Sequence, residues 1–443
     1  MVEKPTPSPP HWGVLSKPPH GIILVVIVLQ CVGLGACLGA LAMGSRALAW
    51  VGAIYLACAW FVEWAGWMTA RRNLKEMPLF GHGKIESGPS DRLPPVTLIA
   101  AARDEERSIE AAVCSMAAME YPDFEIMFVD DHSTDATPRI LDRLVETHKQ
   151  VRVFHNPPMQ IGWAGKQNAV WHVVKQVNPD REWLLFTDAD IMFGPTVLRD
   201  AVLFAEREKI DFMTCIPQVE TDSLFEELAL VRRWAHHLAC FQYGKLNDGK
   251  TTALGIGAFL LVRRDAYLAA GGHAAIAADL SDDAALARIL KKSGATIGFS
   301  RAGDQLRCHQ YYGFRETMRN LVRKQQIGCH DRYGAYVSTM LYSLIQSILP
   351  LPLAFACIAV QVAEGRFSVA MTMLAASAFG LYVQGVRSFS VARAISRIHS
   401  ISPFLHPVCG IFRAWQTSVA MLRKASGRGL EWRGREVGIS DRS

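Results

Sequence analysis

Gly21 to Ser45 contains no charged side chain, and it exceeds the roughly 20 residues a helix needs to cross a bilayer. Lipid offers no water to backbone N–H and C=O groups, so such a stretch must satisfy them internally, as a helix. Its length and its distance from Met1 set it apart from the apolar core of a signal peptide. After Arg46 a second apolar run, Ala47 to Met68, is interrupted by Glu63 and closed by Arg71, Arg72 and Lys75. Basic residues mark the cytoplasmic side, so residue 70 onward and the N-terminus are expected inside and Arg46 outside. Residues 21–70 read as a two-helix anchor, preceded over residues 1–20 by a Pro-rich, polar tail expected to be disordered.

The other end is similar. Tyr336 to Ala363 and Phe367 to Gly385 are two further expected spans (within 336–386), joined by Glu364-Gly365-Arg366 and followed by Arg387, Arg393 and Arg397. Ser402 to Leu422 holds Pro403, Pro407, Arg413 and Gln416 between basic flanks. It reads as a re-entrant or interface-lying segment rather than a fifth full span, within a basic region over residues 387–443. These ends account for the apolar share of 50%, more than a soluble enzyme needs.

The net charge of +6 is too small to argue for nucleic acid, and no zinc-finger, RNA-binding or helix-turn-helix pattern is present. No nucleic-acid partner is expected. The ten cysteines are scattered without a Cys-x-x-Cys pair, which argues against a disulfide framework and suits a reducing cytoplasm. Adjacent His236 and His237 face different directions on a helix and read as structural.

Residues 71–93 form a linker rich in Gly, Pro and Ser toward its end, and from 94 to 335 strands alternate with amphipathic helices. Val96–Ala101 and Glu125–Val129 are each followed by a polar turn and a helix, Val151–Phe154 by a loop and a helix from about Lys166, and then comes a strand from Trp183. This alternation predicts a mostly parallel sheet covered on both faces, with ligands at the carboxyl ends of the strands. The polar clusters all fall at those ends. In WLLFTDADIMF (Trp183–Phe193) a buried strand delivers Asp188 and Asp190. Side chains two apart on a strand point the same way, so the pair is expected to hold one hard cation, Mg²⁺ or Mn²⁺. Gly162-Trp163-Ala164-Gly165-Lys166 ends in a cation where a helix begins. It suits a diphosphate, although a plain loop with a solvated lysine fits the same residues.

AARDEERSIEAAVCSM, FVDDHSTDATPRIL, GWAGKQNAVW, FTDADIMF, GAFLLVRRDAY and LSDDAALARILKKSG occur in that order. Together they resemble the membrane-bound glycosyltransferase family 2 with its GT-A fold, a Rossmann-like α/β domain that is here cytoplasmic and flanked by N- and C-terminal transmembrane helices. The likeness is to the branch acting on carotenoid, hopanoid or ceramide-type lipids, and it covers roughly residues 94–330. By that resemblance Ala102, Arg103 and Glu105 cradle the nucleotide, and Asp130 or Asp131 accepts the uracil N–H. Lys166 and Arg323 meet the diphosphate. Asp190 ligates the metal, and Asp188 ligates it too or touches the ribose or sugar. Asp283 is the catalytic base, paired with Asp282 where the family usually has Glu. For Asp104 and Glu105, and for Asp282 and Asp283, capping of a helix start is the competing explanation. Ser133 or Thr134 is expected to cap the helix that follows Asp130 and Asp131.

Gly255, Gly257 and Ala258 read as small residues of a strand that approaches the donor sugar, with packing as the alternative. Of the family's Gln-x-x-Arg-Trp motif only Arg323 is present in Asn320–Lys324. Phe225 to Tyr243 reads either as a membrane-surface helix receiving a lipid or as an ordinary domain helix. Trp432-Arg433-Gly434-Arg435 resembles a signature of this branch, with anionic headgroups as its default partner. The resemblance thus implies a multi-pass protein of the inner (plasma) membrane. It would transfer a hexose, with inversion, from a nucleotide sugar such as UDP-glucose to a lipid acceptor. The rivals are a processive polysaccharide synthase and a non-catalytic nucleotide-sugar sensor.

Overall fold

The computed structural model describes residues 20–81, 85, 88, 92–240, 243, 246–247, 253–279, 281–329, 332–427, 430–432 and 435–437. The expected N-terminal tail, much of the linker's second half and Arg433-Gly434 lie outside the described residues.

The chain begins with α1 (His20–Met43) and α2 (Arg46–Glu76). Next come β1 (Val96–Ala102), α3 (Ile109–Ala117), β2 (Phe124–Asp130), α4 (Thr137–Thr147), β3 (Val151–His155) and α5 (Gly165–Val174). β4 (Trp183–Asp188), β5 (Ile191–Phe193), α6 (Val197–Arg207), β6 (Phe212–Ile216), β7 (Gln218–Glu220) and α7 (Leu224–Cys240) follow. Then come β8 (Leu260–Arg263), α8 (Arg264–Ala269), α9 (Asp282–Lys292), β9 (Ile297–Arg301) and β10 (Leu306–His309). The last elements are α10 (Gly313–Gly328), α11 (Tyr333–Ser343), α12 (Pro350–Glu364), α13 (Val369–Ser390), α14 (His406–Ala425), β11 (Leu430–Trp432) and β12 (Arg435–Val437). Packing sorts them into two units. One takes Lys75–Glu220 and Gln242–His309; the other takes Thr221–Phe241, Gln310 onward and the N-terminal helices to Leu74.

The first unit is built on a seven-stranded sheet in the order β3-β2-β1-β4-β8-β6-β9. Its strands are near-continuous apolar runs because both faces are covered, as in VTLIAAA and WLLFTD. Helices cover it through single faces: α6 buries Val197, Leu198, Ala201, Val202 and Ala205, which recur at helical spacing. Trp183 is fully buried, its Nε1 donating to Glu206 Oε1 at 2.9 Å. Neighbouring strands pair in parallel except β8, which runs against both β4 and β6. That single reversal has a consequence for the site. Leu260, which opens β8, pairs with Phe186 near the end of β4, so the turn before β8 arrives at the carboxyl edge. A small second sheet, β5-β10-β7, has no counterpart in the sequence reading.

In the second unit α1, α2 and α13 are long and apolar enough to cross a membrane, judged by length and composition. Their shared core is rich in small residues, among them Ala40, Ala49, Ala53, Ala59 and Ala378, which let helix backbones approach closely. α2 continues to Glu76, eight residues past the expected end at Met68, because its polar last turns still pack: Asn73 is buried and donates to the Leu238 carbonyl at 2.7 Å. Tyr336 to Ala363, expected as one helix, is two, bent by 54° between Tyr333–Ile348 and Pro350–Glu364. Leu344–Ile348 is a π-turn, and Pro350 has no N–H to continue the ladder, so the helix breaks there. Ser402–Leu405 is a 3₁₀ turn leading into α14.

Candidate active site at the carboxyl ends of the strands

In the register of the sheet, Ala102 ends β1 opposite Asp130 of β2, Ala101 faces Asp188 of β4, and Asp130 faces His155 of β3. Three polar clusters far apart in sequence therefore share one edge. His155 lies one residue beyond the expected end of the third strand at Phe154, and only the pairing of that strand with β2 sets it beside Asp130.

Two loops at this edge hold each other. Asp104, at φ 51°, donates its N–H to Ser133 Oγ (3.0 Å), and its Oδ1 accepts from Thr134 N–H (2.7 Å). Glu105 N–H donates to Thr137 Oγ1 (2.8 Å), Glu106 N–H to Asp135 Oδ2 (3.1 Å), and Ala136 N–H returns a bond to Glu106 Oε2 (3.0 Å). Ser133 and Thr134 thus bond Asp104 and do not cap α4, contrary to expectation. The first amide of α4, that of Thr137, is met by Asp135 Oδ1 at 2.9 Å. Local spacing suggested a cap, but a loop 30 residues upstream supplies a better-placed partner.

Asp130 is fully buried and accepts from Ser133 N–H at 3.2 Å. Its Oδ2 has no hydrogen-bond partner among the described residues, and His155 Nδ1 lies 3.6 Å away. Asp131 Oδ2 lies 3.7 Å from the Arg103 guanidinium. Asp130 therefore shapes the loop, while Asp131 and Arg103 form its charged lip.

The other half of the edge is a charge cluster. Lys166, in the first turn of α5, sets Nζ 2.5 Å from Asp188 Oδ1 and 2.8 Å from Asp282 Oδ2. The sequence reading gave this lysine no carboxylate partner, since residues 166, 188 and 282 carry no sequence signal linking them. The fold joins them through the segment before α9: Ala164 N–H donates to the Ala277 carbonyl (2.8 Å), and Gln167 Nε2 donates to that of Asp279. Asp282 and Asp283 form the first turn of α9, where the helix dipole favours negative charge. Surrounding protein withholds water from Asp282, which would raise its pKa, but Lys166 outweighs this and holds it low. Asp283 is pushed up to about 6, first by desolvation and then by the charge of Asp282. Lys166, despite desolvation, is held well above the usual lysine range by Asp188 and Asp282.

Asp188 and Asp190 do not share a strand face. β4 ends at Asp188, and Ala189-Asp190 form a turn into β5, because the chain leaves the large sheet there to enter the small one. Gly255 and Gly257 lie in the turn before β8 rather than in a strand. A Cβ on Gly257 would stand 3.0 Å from Asp188 Oδ2, and one on Gly255 only 2.3 Å from the Asp283 carbonyl oxygen. Close approach requires glycine at both. Thr187 Oγ1 pins this turn by donating to the Ala258 carbonyl at 2.8 Å.

Asp188 keeps 44% of its side chain exposed, with Oδ2 toward the space the missing Gly257 side chain leaves. A hard carboxylate beside open space is the kind of donor that suits Mg²⁺ or Mn²⁺. Arg323 lies on α10 in the other unit.

Residues 97–269 match the sequence model of Glycosyl transferase family 2. Over 120 residues the chain is 31% identical to a beta-monoglucosyldiacylglycerol synthase of Nostoc sp., covering 27% of this chain and 25% of that protein. Over 183 residues it is 25% identical to a 4,4'-diaponeurosporenoate glycosyltransferase of Staphylococcus aureus, covering 40% of this chain and 46% of the other. The chain thus spans a quarter to a half of these relatives. A mannosyltransferase from Pyrobaculum calidifontis, solved in complex with GDP-Man and Mn²⁺, superposes with a TM-score of 0.48 at 18% identity, covering 84% of this chain and 98% of that one. Ala102, Asp130, Asp131, Lys166, Asp188, Asp190 and both glycines lie inside the matched stretch, and Asp282 and Asp283 lie just beyond it. The chain carries a family 2 glycosyltransferase domain, matched from residue 97 to residue 269.

Proposed function

We propose that this protein transfers a hexose from a nucleotide sugar, with UDP-glucose the first donor to test, to a hydroxyl or carboxyl group of a membrane lipid, inverting the anomeric centre. The observation that carries the reading is the Lys166 bridge, which joins the end of β4 to the start of α9 and sets Asp283 beside it. The lipid acceptor is supported by the relatives, named for a glucosylated diacylglycerol and for diaponeurosporenoate. Three helices long and apolar enough to cross a membrane support a multi-pass protein, and the basic residues in the last turns of α2 and at and beyond the end of α13 support a cytoplasmic catalytic unit in the inner membrane.

In this reading the paired loops of β1 and β2 hold the nucleoside, with Arg103 and Asp131 at its lip. Lys166 meets the diphosphate from the first turn of α5. Asp188 and Asp190 would hold Mg²⁺ or Mn²⁺, which when bound offsets the charge developing on the departing diphosphate. Asp283 takes the proton of the acceptor O–H as that oxygen bonds the anomeric carbon. The bond from that carbon to the phosphate oxygen breaks in the same displacement, so no covalent enzyme intermediate forms. A pKa near 6 leaves Asp283 ionised at neutral pH yet more basic than an ordinary carboxylate.

The test is release of UDP from UDP-glucose by membranes containing the protein, with Mg²⁺ or Mn²⁺ and a total lipid extract. Lipid-dependent release lost in Asp283→Asn and in Asp190→Ala is the expected result. Binding of UDP without turnover of any common nucleotide sugar would replace the enzyme with a sensor.

A further inference from the structure

We propose that the groove of about 490 Å³ between α10 and α14, in the helical unit, binds an anionic phospholipid of the bilayer. Arg315 and Arg319 stand four residues apart on α10, hence on one face, and Arg423 reaches the same groove from the last turn of α14. No carboxylate lines it. None of these three arginines makes an ion pair among the described residues, whereas Arg103, Arg143, Arg181 and Arg263 of the sheet unit all do.

The floor is apolar. Met318 is 3% exposed beneath walls formed by Phe314 and Trp415, which keep 55% and 46% of their surface open, their ring centroids 6.5 Å apart and the planes tilted by 39°. Large aromatic side chains left open in a groove mark a surface meant to be covered. An apolar slot under an arginine rim matches a molecule with a phosphate at one end and hydrocarbon at the other. Guanidinium groups fork onto phosphate oxygens, and the aromatic rings take the start of an acyl chain. A soluble anion would leave the apolar floor uncovered, and a neutral lipid would leave three guanidinium groups without a partner. The same unit holds α1, α2 and α13, the helices able to cross a membrane, so bilayer lipid is the ligand within reach.

The test uses the full chain in phosphatidylcholine vesicles doped with brominated phosphatidylglycerol or, in a parallel set, brominated phosphatidylcholine. Bromine quenches nearby tryptophan, and the difference between the wild type and Trp415→Phe isolates position 415. The expected result is several-fold stronger quenching of that component by the brominated anionic lipid, reversed by unlabelled phosphatidylglycerol. Each of Arg315→Gln, Arg319→Gln and Arg423→Gln should reduce the preference about fivefold, and lysine at the same positions should retain part of it. Equal quenching by the two lipids overturns the proposal, as does displacement by neutral diacylglycerol as effective as by phosphatidylglycerol, which would make the groove an acceptor site. That comparison needs only the wild type and Trp415→Phe to fold, and no arm depends on turnover.

Discussion

The two halves of the strand-end edge solve opposite problems. The loops after β1 and β2 close on themselves, with backbone amides of Asp104, Glu105, Glu106, Thr134 and Ala136 all met by side chains of the opposite loop. The cluster of Lys166, Asp188, Asp282 and Asp283 leaves its charge open, one ammonium among three carboxylates. A satisfied lattice is rigid and already formed before a ligand arrives; an unbalanced one attracts positive charge and holds a proton acceptor. Under the proposed function the first half would place the nucleotide and the second would perform the transfer.

Substitutions in the charge cluster should therefore cost turnover, and those in the loop lattice should cost affinity and stability. The largest effect is expected from Asp283→Asn, which removes the proton acceptor: kcat falls by about a hundred- to ten-thousand-fold, with donor Kd by calorimetry nearly unchanged. A matching loss of donor binding would break the division of labour. Next is Gly255→Ala, whose Cβ meets a backbone oxygen of Asp283 at 2.3 Å and must push α9 away. A loss on the order of a hundredfold in kcat is expected from misplacing the base. Gly257→Ala meets the end of a side chain at 3.0 Å, and an effect of a few-fold, on cation affinity, is the matching expectation.

The pH profile sharpens the same division. Asp283 must be ionised to accept a proton, so kcat should rise through about pH 6 and level off above it. Because the charge of Asp282 is part of what raises that pKa, Asp282→Asn should move the rising limb to lower pH. A limb that stays in place would remove Asp283 as the titrating group. The smallest effect belongs to the lattice: Thr137→Ala deletes the acceptor for Glu105 N–H and should lower stability by about 1 kcal/mol. UDP affinity should weaken with little change in kcat, read from a thermal melt and a binding isotherm.

Much of the edge was legible because each strand ends on its own polar cluster, and in a parallel sheet those ends coincide. Asp188 was named from its place at a strand end, whereas Asp130 and Asp283 were named from the family resemblance. Lys166 was named as well, but its partners were not, since nothing in Gly162–Lys166 points to residues 188 and 282. The Asp-x-Asp argument rested on strand alternation, which does not hold here: the chain turns at Ala189, so alternation along a strand does not relate Asp188 to Asp190.

By itself the sequence determined the apolar ends, the alternation of strand and helix, and which strand ends carry charge. All three follow from periodicity and composition over a few residues, which burial imposes locally. The tertiary structure alone decided the reversed β8 that brings Gly257 to Asp188, the bridge of Lys166 to Asp282, and the mutual hydrogen bonding of the two loops. It also turned the expected span at Tyr336–Ala363 into two helices at Pro350. These features depend on which distant segments become neighbours, and that is settled by packing the whole sheet and helix set at once.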